Sequence, residues 1–131
     1  MEGKITGLGH IGLFISDMER TKKYYHDIFG FEPIFEYVTA CGDKVAFLKM
    51  NEVVLEVVQA VNHDLNGADG RFNHLAMRVE NIDAVRDDLL KKGVVFEEDA
   101  ITTCPECFPN GARWILFRGP DNERLEITEP L

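Results

Sequence analysis

Four side chains in this sequence have the chemical types and the positions for metal-assisted acid–base work: His10, Glu56, His74 and Glu126. The histidines open matching stretches, Gly9-His10-Ile11-Gly12-Leu13-Phe14-Ile15 and Asn73-His74-Leu75-Ala76-Met77-Arg78-Val79, set 74 − 10 = 64 residues apart. In each stretch one alternating set is apolar, which is how a strand covered on one face reads, and the histidine falls on the other face. Each glutamate sits in a later strand-like run. A lone strand histidine is usually hydrogen-bonded or half-exposed, and Glu126, on the face of Arg124 and Thr128, could simply be solvated. Glu56 within Val53–Val58 is harder to place, because a buried carboxylate is costly unless paired or bound to a cation. The repeat puts a histidine on the first strand and a glutamate on the last strand of each half. If the halves curve around one cavity, two imidazoles and two carboxylates form a site that a divalent cation neutralises, with positions open to water or substrate. Nickel, cobalt, zinc, manganese and iron all suit such donors.

The elements that must position these residues follow the same repeat. In the first module, about 5–60, a strand over 6–15 leads through the Asp17 cap into a helix from Met18 to Phe29 that Gly30 ends. Strand-forming runs follow at Phe31–Thr39, Lys44–Leu48 and Val53–Gln59, with a turn at Met50-Asn51-Glu52. Residues 60–71 have linker composition. In the second module, about 72–131, Asn81 caps a helix over Ile82–Lys92 with Ile82, Val85 and Leu89 as its apolar stripe and Gly93 after it. Val94–Phe96 is expected as a strand, Thr102–Ala112 as a long loop, and Arg113–Arg118 with Glu123–Thr128 as a closing hairpin. The expected fold is α+β: two tandem β-α-β-β-β modules forming a curved mixed sheet around a metal cavity, within one domain spanning 1–131.

Composition narrows the partners. At 131 residues and 45% hydrophobic, the chain can bury a core, and no apolar run approaches a membrane span. A net charge of −9 repels phosphate backbones and anionic lipid, so neither nucleic acid nor membrane is an expected partner. The start Met1-Glu2-Gly3-Lys4 lacks the layout of a signal peptide, and Cys41, Cys104 and Cys107 are an odd number, so a cytoplasmic protein with reduced thiols is expected.

At this point the residues resemble the vicinal oxygen chelate superfamily, whose members include glyoxalase I, methylmalonyl-CoA epimerase, extradiol dioxygenases, and fosfomycin- and bleomycin-resistance proteins. The resemblance runs the length of the chain through Gly9-His10-Ile11-Gly12, Tyr24-Tyr25 to Phe29-Gly30-Phe31, Leu55-Glu56, Asn73-His74-Leu75-Ala76, and Phe117-Arg118-Gly119-Pro120-Asp121 leading to Leu125-Glu126. Its ligand pattern is closest to glyoxalase I (lactoylglutathione lyase), with His10, Glu56, His74 and Glu126 in the metal positions; the epimerase pattern has glutamine where this chain has Glu56. Bleomycin-binding members are expected to lack the metal set. The resemblance implies a homodimer and a metal-dependent lyase or isomerase. Such an enzyme moves a proton beside a carbonyl through a metal-stabilised enediolate, on a small molecule with vicinal oxygens. Glu126 is then the base and Glu56 a ligand and possible second base. Glyoxalase I is also expected to hold glutathione with an arginine four residues after the first histidine and an asparagine four residues after the first glutamate. Here those positions are Phe14 and Ala60, which argues against glutathione. The alternatives are a small-molecule binding or resistance protein, or another superfamily enzyme such as an epimerase or dioxygenase.

Further residues are candidates for substrate contact. Phe14 and its second-copy counterpart Arg78 lie on the histidine faces, and Arg78 could hold an anion or pair with a carboxylate. Cys104-Pro105-Glu106-Cys107 has half-zinc-site spacing with no second pair to complete it, so the loop is expected over the cavity mouth. Trp114 and Phe117 fall on opposite faces of one strand, so one can line a cavity while the other is core.

Overall fold

A computed structural model describes residues 3, 10–62, 74–105 and 109–131. The chain divides into two compact units, Met1–Leu65 and Asn66–Leu131. In the first, β1 (Ile11–Phe14), α1 (Met18–Phe29), β2 (Glu32–Val38), β3 (Lys44–Met50) and β4 (Val53–Gln59) form a four-stranded mixed sheet in the order β1-β4-β3-β2. The second repeats it with β5 (Leu75–Arg78), α2 (Ile82–Lys91), β6 (Thr102–Cys104), β7 (Ala112–Arg118) and β8 (Arg124–Pro130), in the order β5-β8-β7-β6. In both, the first and last strands pair parallel and the others antiparallel. This is the expected α+β fold of two β-α-β-β-β modules, each with its own sheet.

Each helix buries its apolar stripe on one face of its sheet. Met18 and Tyr25 of α1 join Ile15, Phe31, Ala46, Leu48, Leu55 and Val57 in one core, and Ile82 and Leu89 of α2 join Met77, Ile115, Phe117, Leu125 and Ile127 in the other. The helix ends follow their sequence signals. The Asp17 carboxylate accepts from the Arg20 amide at 3.0 Å and the Asn81 side chain from Ala84 at 3.3 Å, while Gly30 takes the left-handed conformation (φ 83°) that a β-carbon disfavours. A second cap comes from the end of each last strand. Gln59 accepts from the Met18 amide at 2.7 Å, and Glu129 accepts from Asn81 and Ile82 at 2.7 and 3.2 Å. These two residues lie three beyond Glu56 and Glu126 respectively, so one short segment both seats a helix and aims a glutamate at the opposite face.

Two expectations along the second module are corrected. Val94–Phe96 is not a strand; Phe96 alone bridges to Phe117. The strand falls instead inside the expected 102–112 loop, where Thr102–Cys104 pairs with Ala112–Trp114. The two contacts lie at opposite ends of β7, and the chain bends away at 97–100 between them. The thiol expectation is also corrected at Cys104, which is disulfide-bonded, while Cys41 is free and exposed. Cys107 lies outside the described residues. Among the described residues, no helix is long and apolar enough to cross a membrane.

Thr21 is fully buried in α1 and, among the described residues, its hydroxyl finds no hydrogen-bond partner. Thr21→Val keeps the shape and removes the unmatched group, so it is expected to raise unfolding stability by about 1 kcal/mol. Urea titration checks it, and a lower midpoint shows that the hydroxyl is satisfied.

Candidate functional site

In module one the parallel register sets Gly12 beside Glu56, which brings His10, just before β1, onto the same face as the glutamate. The His10 Nε2 lies 3.9 Å from the Glu56 Oε2, and the Glu56 side chain is 27% exposed. Module two repeats the arrangement: Ala76 lies beside Glu126, and the His74 Nε2 is 3.3 Å from the Glu126 Oε2. Glu126 is the more buried of the two carboxylates, its side chain 13% exposed. Burial pushes its carboxyl above the usual range, with the charges of His74 and Arg124 pulling against that. The structure thus joins the four sequence-derived residues as two histidine–glutamate pairs, one per module. Among the described residues no group of three or more His, Cys, Asp or Glu side chains is gathered for a metal ion.

The donor chemistry of each pair fits a divalent cation. Each presents an imidazole nitrogen and a carboxylate oxygen to the same space, and a mostly buried carboxylate is the group that gains most from a cation.

The candidate substrate residues divide between the modules. Phe14, 54% exposed, is on the His10 face of module one. Arg78, Trp114 and Cys104 share the Glu126 face of module two, since Arg78 is opposite Thr128, Trp114 is opposite Thr128 on the other side, and Cys104 is two residues from Thr102, the partner of Trp114. Arg78 makes no ion pair among the described residues. Trp114 is half-buried and Phe117 is core, as their opposite faces require.

Sequence reasoning passed over a charged cluster at the end of the Glu126 sheet. Arg118 and Arg124 face each other across β7 and β8, an arrangement of like charges that Glu97 resolves by reaching both, at 2.6 Å from Arg118 Nε and 3.2 Å from Arg124 Nη2. The only hint in the sequence is Arg124 two residues before Glu126 on one face. Burial pushes the Glu97 carboxyl up, but the guanidiniums of Arg124 and Arg118 outweigh it and hold it below the ordinary value. A depressed carboxylate stabilises the fold above its unfolded-state pKa and loses that contribution as pH falls through the folded value. Glu97→Gln is therefore expected to cost about 1 kcal/mol at neutral pH. The gap from the parent should close below about pH 4.3. Paired urea titrations at the two pH values measure it, and a gap independent of pH assigns the loss to packing.

The comparisons with known proteins agree with this fold. An "Uncharacterized protein YwbC" of Bacillus subtilis (strain 168) is 27% identical over 127 residues, covering 93% of this chain and 96% of its own. Among solved structures, a glyoxalase family protein from Enterococcus faecalis aligns with a TM-score of 0.76 at 25% identity, covering 95% of this chain and 98% of that one. The genomically encoded fosfomycin resistance protein FosX from Listeria monocytogenes, in complex with Mn(II) and sulfate, aligns with a TM-score of 0.75 at 20% identity, covering 98% and 95%. A family model matches over residues 7–127, a span that includes both histidine–glutamate pairs, and by it the chain belongs to the Glyoxalase/Bleomycin resistance protein/Dioxygenase superfamily.

Proposed function

We propose that the two histidine–glutamate pairs are halves of one divalent-metal site and that the protein is an enzyme of the glyoxalase type, moving a proton beside a carbonyl in a small molecule with vicinal oxygens. The observation that carries this reading is the His74–Glu126 pair at 3.3 Å with its carboxylate mostly buried, repeated in module one by His10 and Glu56. A bound cation supplies a Lewis acid that acidifies a C–H next to an oxygen it holds. The chain's own residues do the rest. His10 and His74 offer neutral imidazole nitrogens as ligands and Glu56 a carboxylate oxygen. Glu126 takes the proton: its burial strengthens it as a base, and the nearby Arg124 keeps it from being protonated too readily.

A small-molecule binding protein with no metal is the reading from another class. Equilibrium dialysis against manganese, nickel, cobalt and zinc separates the two, with manganese first because the FosX relative holds it. About one ion per chain is expected, since four donors serve one cation, whether the halves meet within a chain or across a homodimer. Two ions per chain would show the pairs acting separately, and none would end the enzymatic reading.

A further inference from the structure

The His10–Glu56 face of module one continues into a row of aromatic rings. Phe47 of β3 is directly opposite Glu56, and Phe35 of β2 is directly opposite Phe47. The rings follow one another from the histidine outward: His10 and Phe47 are T-shaped at 5.5 Å, Phe47 and Phe35 are tilted at 6.4 Å, and Phe35 and Tyr37 are tilted at 5.8 Å. These rings point away from α1. Glu36, between Phe35 and Tyr37, reaches the opposite way to Lys22 of the helix at 2.7 Å, so its neighbours in the strand face the histidine side.

The outer rings of this row lie largely outside the core. Phe35 is 60% exposed and Tyr37 43%, whereas Val45, opposite Tyr37 on the same face, is buried. On the other flank of Glu56 stands Gly12, where an added β-carbon would meet no atom of the described residues within 4 Å. Neighbouring strands are about 4.8 Å apart, which sets Phe47 one strand spacing from Glu56 and Phe35 about two. An aryl group attached directly to an oxygen-bearing carbon spans that distance when its oxygens lie beside the glutamate. A methyl group does not.

We propose that Phe47, Phe35 and Tyr37 form a platform for an arene, so that the substrate carries an aromatic ring directly on the carbon next to its vicinal oxygens. This deepens the metal-site reading and rests on it. Among the described residues of module two the row is not repeated: Leu116 stands opposite Glu126 where Phe47 stands opposite Glu56, and the single ring on that face, Trp114, has Thr102 rather than a second ring beyond it on the edge strand. The platform therefore assigns the ring of the substrate to the His10–Glu56 face of module one.

Phenylglyoxylate and pyruvate test this directly, because both present the same pair of oxygens and the same charge and differ only in phenyl against methyl. With the zinc-loaded full chain and isothermal titration, phenylglyoxylate is expected to bind about tenfold or more tightly than pyruvate. In Phe35→Ala and Tyr37→Ala, both exposed and outside the core, that ratio is expected to shrink several-fold while pyruvate affinity holds. Phe35→Leu separates ring stacking from mere apolar area and should also lower the ratio. Equal affinities in the parent protein, or a ratio that survives all three substitutions, overturn the arene platform and leave the metal site standing. Failure of manganese, nickel, cobalt and zinc alike to bind removes the metal-site reading first, and this proposal with it. Ring resonances of Phe35 and Tyr37 that shift with protein concentration and not with phenylglyoxylate show a second copy of the chain on this face, and also overturn it.

Discussion

Glu126→Gln is expected to lower proton transfer by about 10²- to 10⁴-fold while leaving the metal bound. Glutamine keeps an oxygen that can face a cation but has no basicity with which to take a proton. The measurement is exchange of the C–H hydrogen of an α-hydroxy ketone with deuterated solvent, followed by proton NMR, alongside metal content by elemental analysis. Loss of exchange with metal retained assigns Glu126 as the base. Full exchange removes it from the chemistry, and joint loss of metal and exchange gives it a ligand role instead. The metal-free proteins supply an independent check on the residue's surroundings. Burial holds the Glu126 carboxyl above its ordinary pKa, so the folded state takes up a proton more readily than the unfolded chain does. The parent protein should then gain stability as pH falls from above the folded-state value toward the unfolded one, and the glutamine variant should lack that gain.

The second large effect concerns glutathione. The hemithioacetal of methylglyoxal and glutathione is expected to be turned over poorly by the metal-loaded protein, because Phe14 and Ala60 stand where a glutathione-using relative is expected to hold polar anchors. Phe14 is exposed at the end of β1 on the His10 face, opposite Val58. Losing two polar anchors costs about 2–6 kcal/mol of binding, or roughly one and a half to four decades in kcat/KM. A steady-state assay decides it. A specificity constant of about 10⁵–10⁷ M⁻¹s⁻¹, the range of efficient enzymes, would overturn the argument from those two positions. Phe14→Arg is the informative companion, since it should raise that constant if the position faces the substrate.

Much of this protein was legible in its residues alone. The 64-residue spacing of two histidines, the alternation after each, and the caps at Asp17, Gly30, Asn81 and Gly93 determine two β-α-β-β-β modules, because helix ends and strand faces are local matters of periodicity and backbone preference. The same alternation names His10, Glu56, His74 and Glu126 as the side chains turned away from the helices. What the alternation cannot say is which residue on one strand meets which on another. The parallel register that sets Gly12 beside Glu56 and Ala76 beside Glu126, and so pairs each histidine with a glutamate, is a long-range choice made by the packing of the whole sheet. So is the exchange of an expected strand at Val94–Phe96 for one at Thr102–Cys104, since the open edge of β7 accepts whichever segment the bend at 97–100 delivers to it. The ring row of Phe47, Phe35 and Tyr37 and the clasp of Glu97 on two arginines have the same origin: their members are distant in the chain, and only cross-strand pairing makes them neighbours.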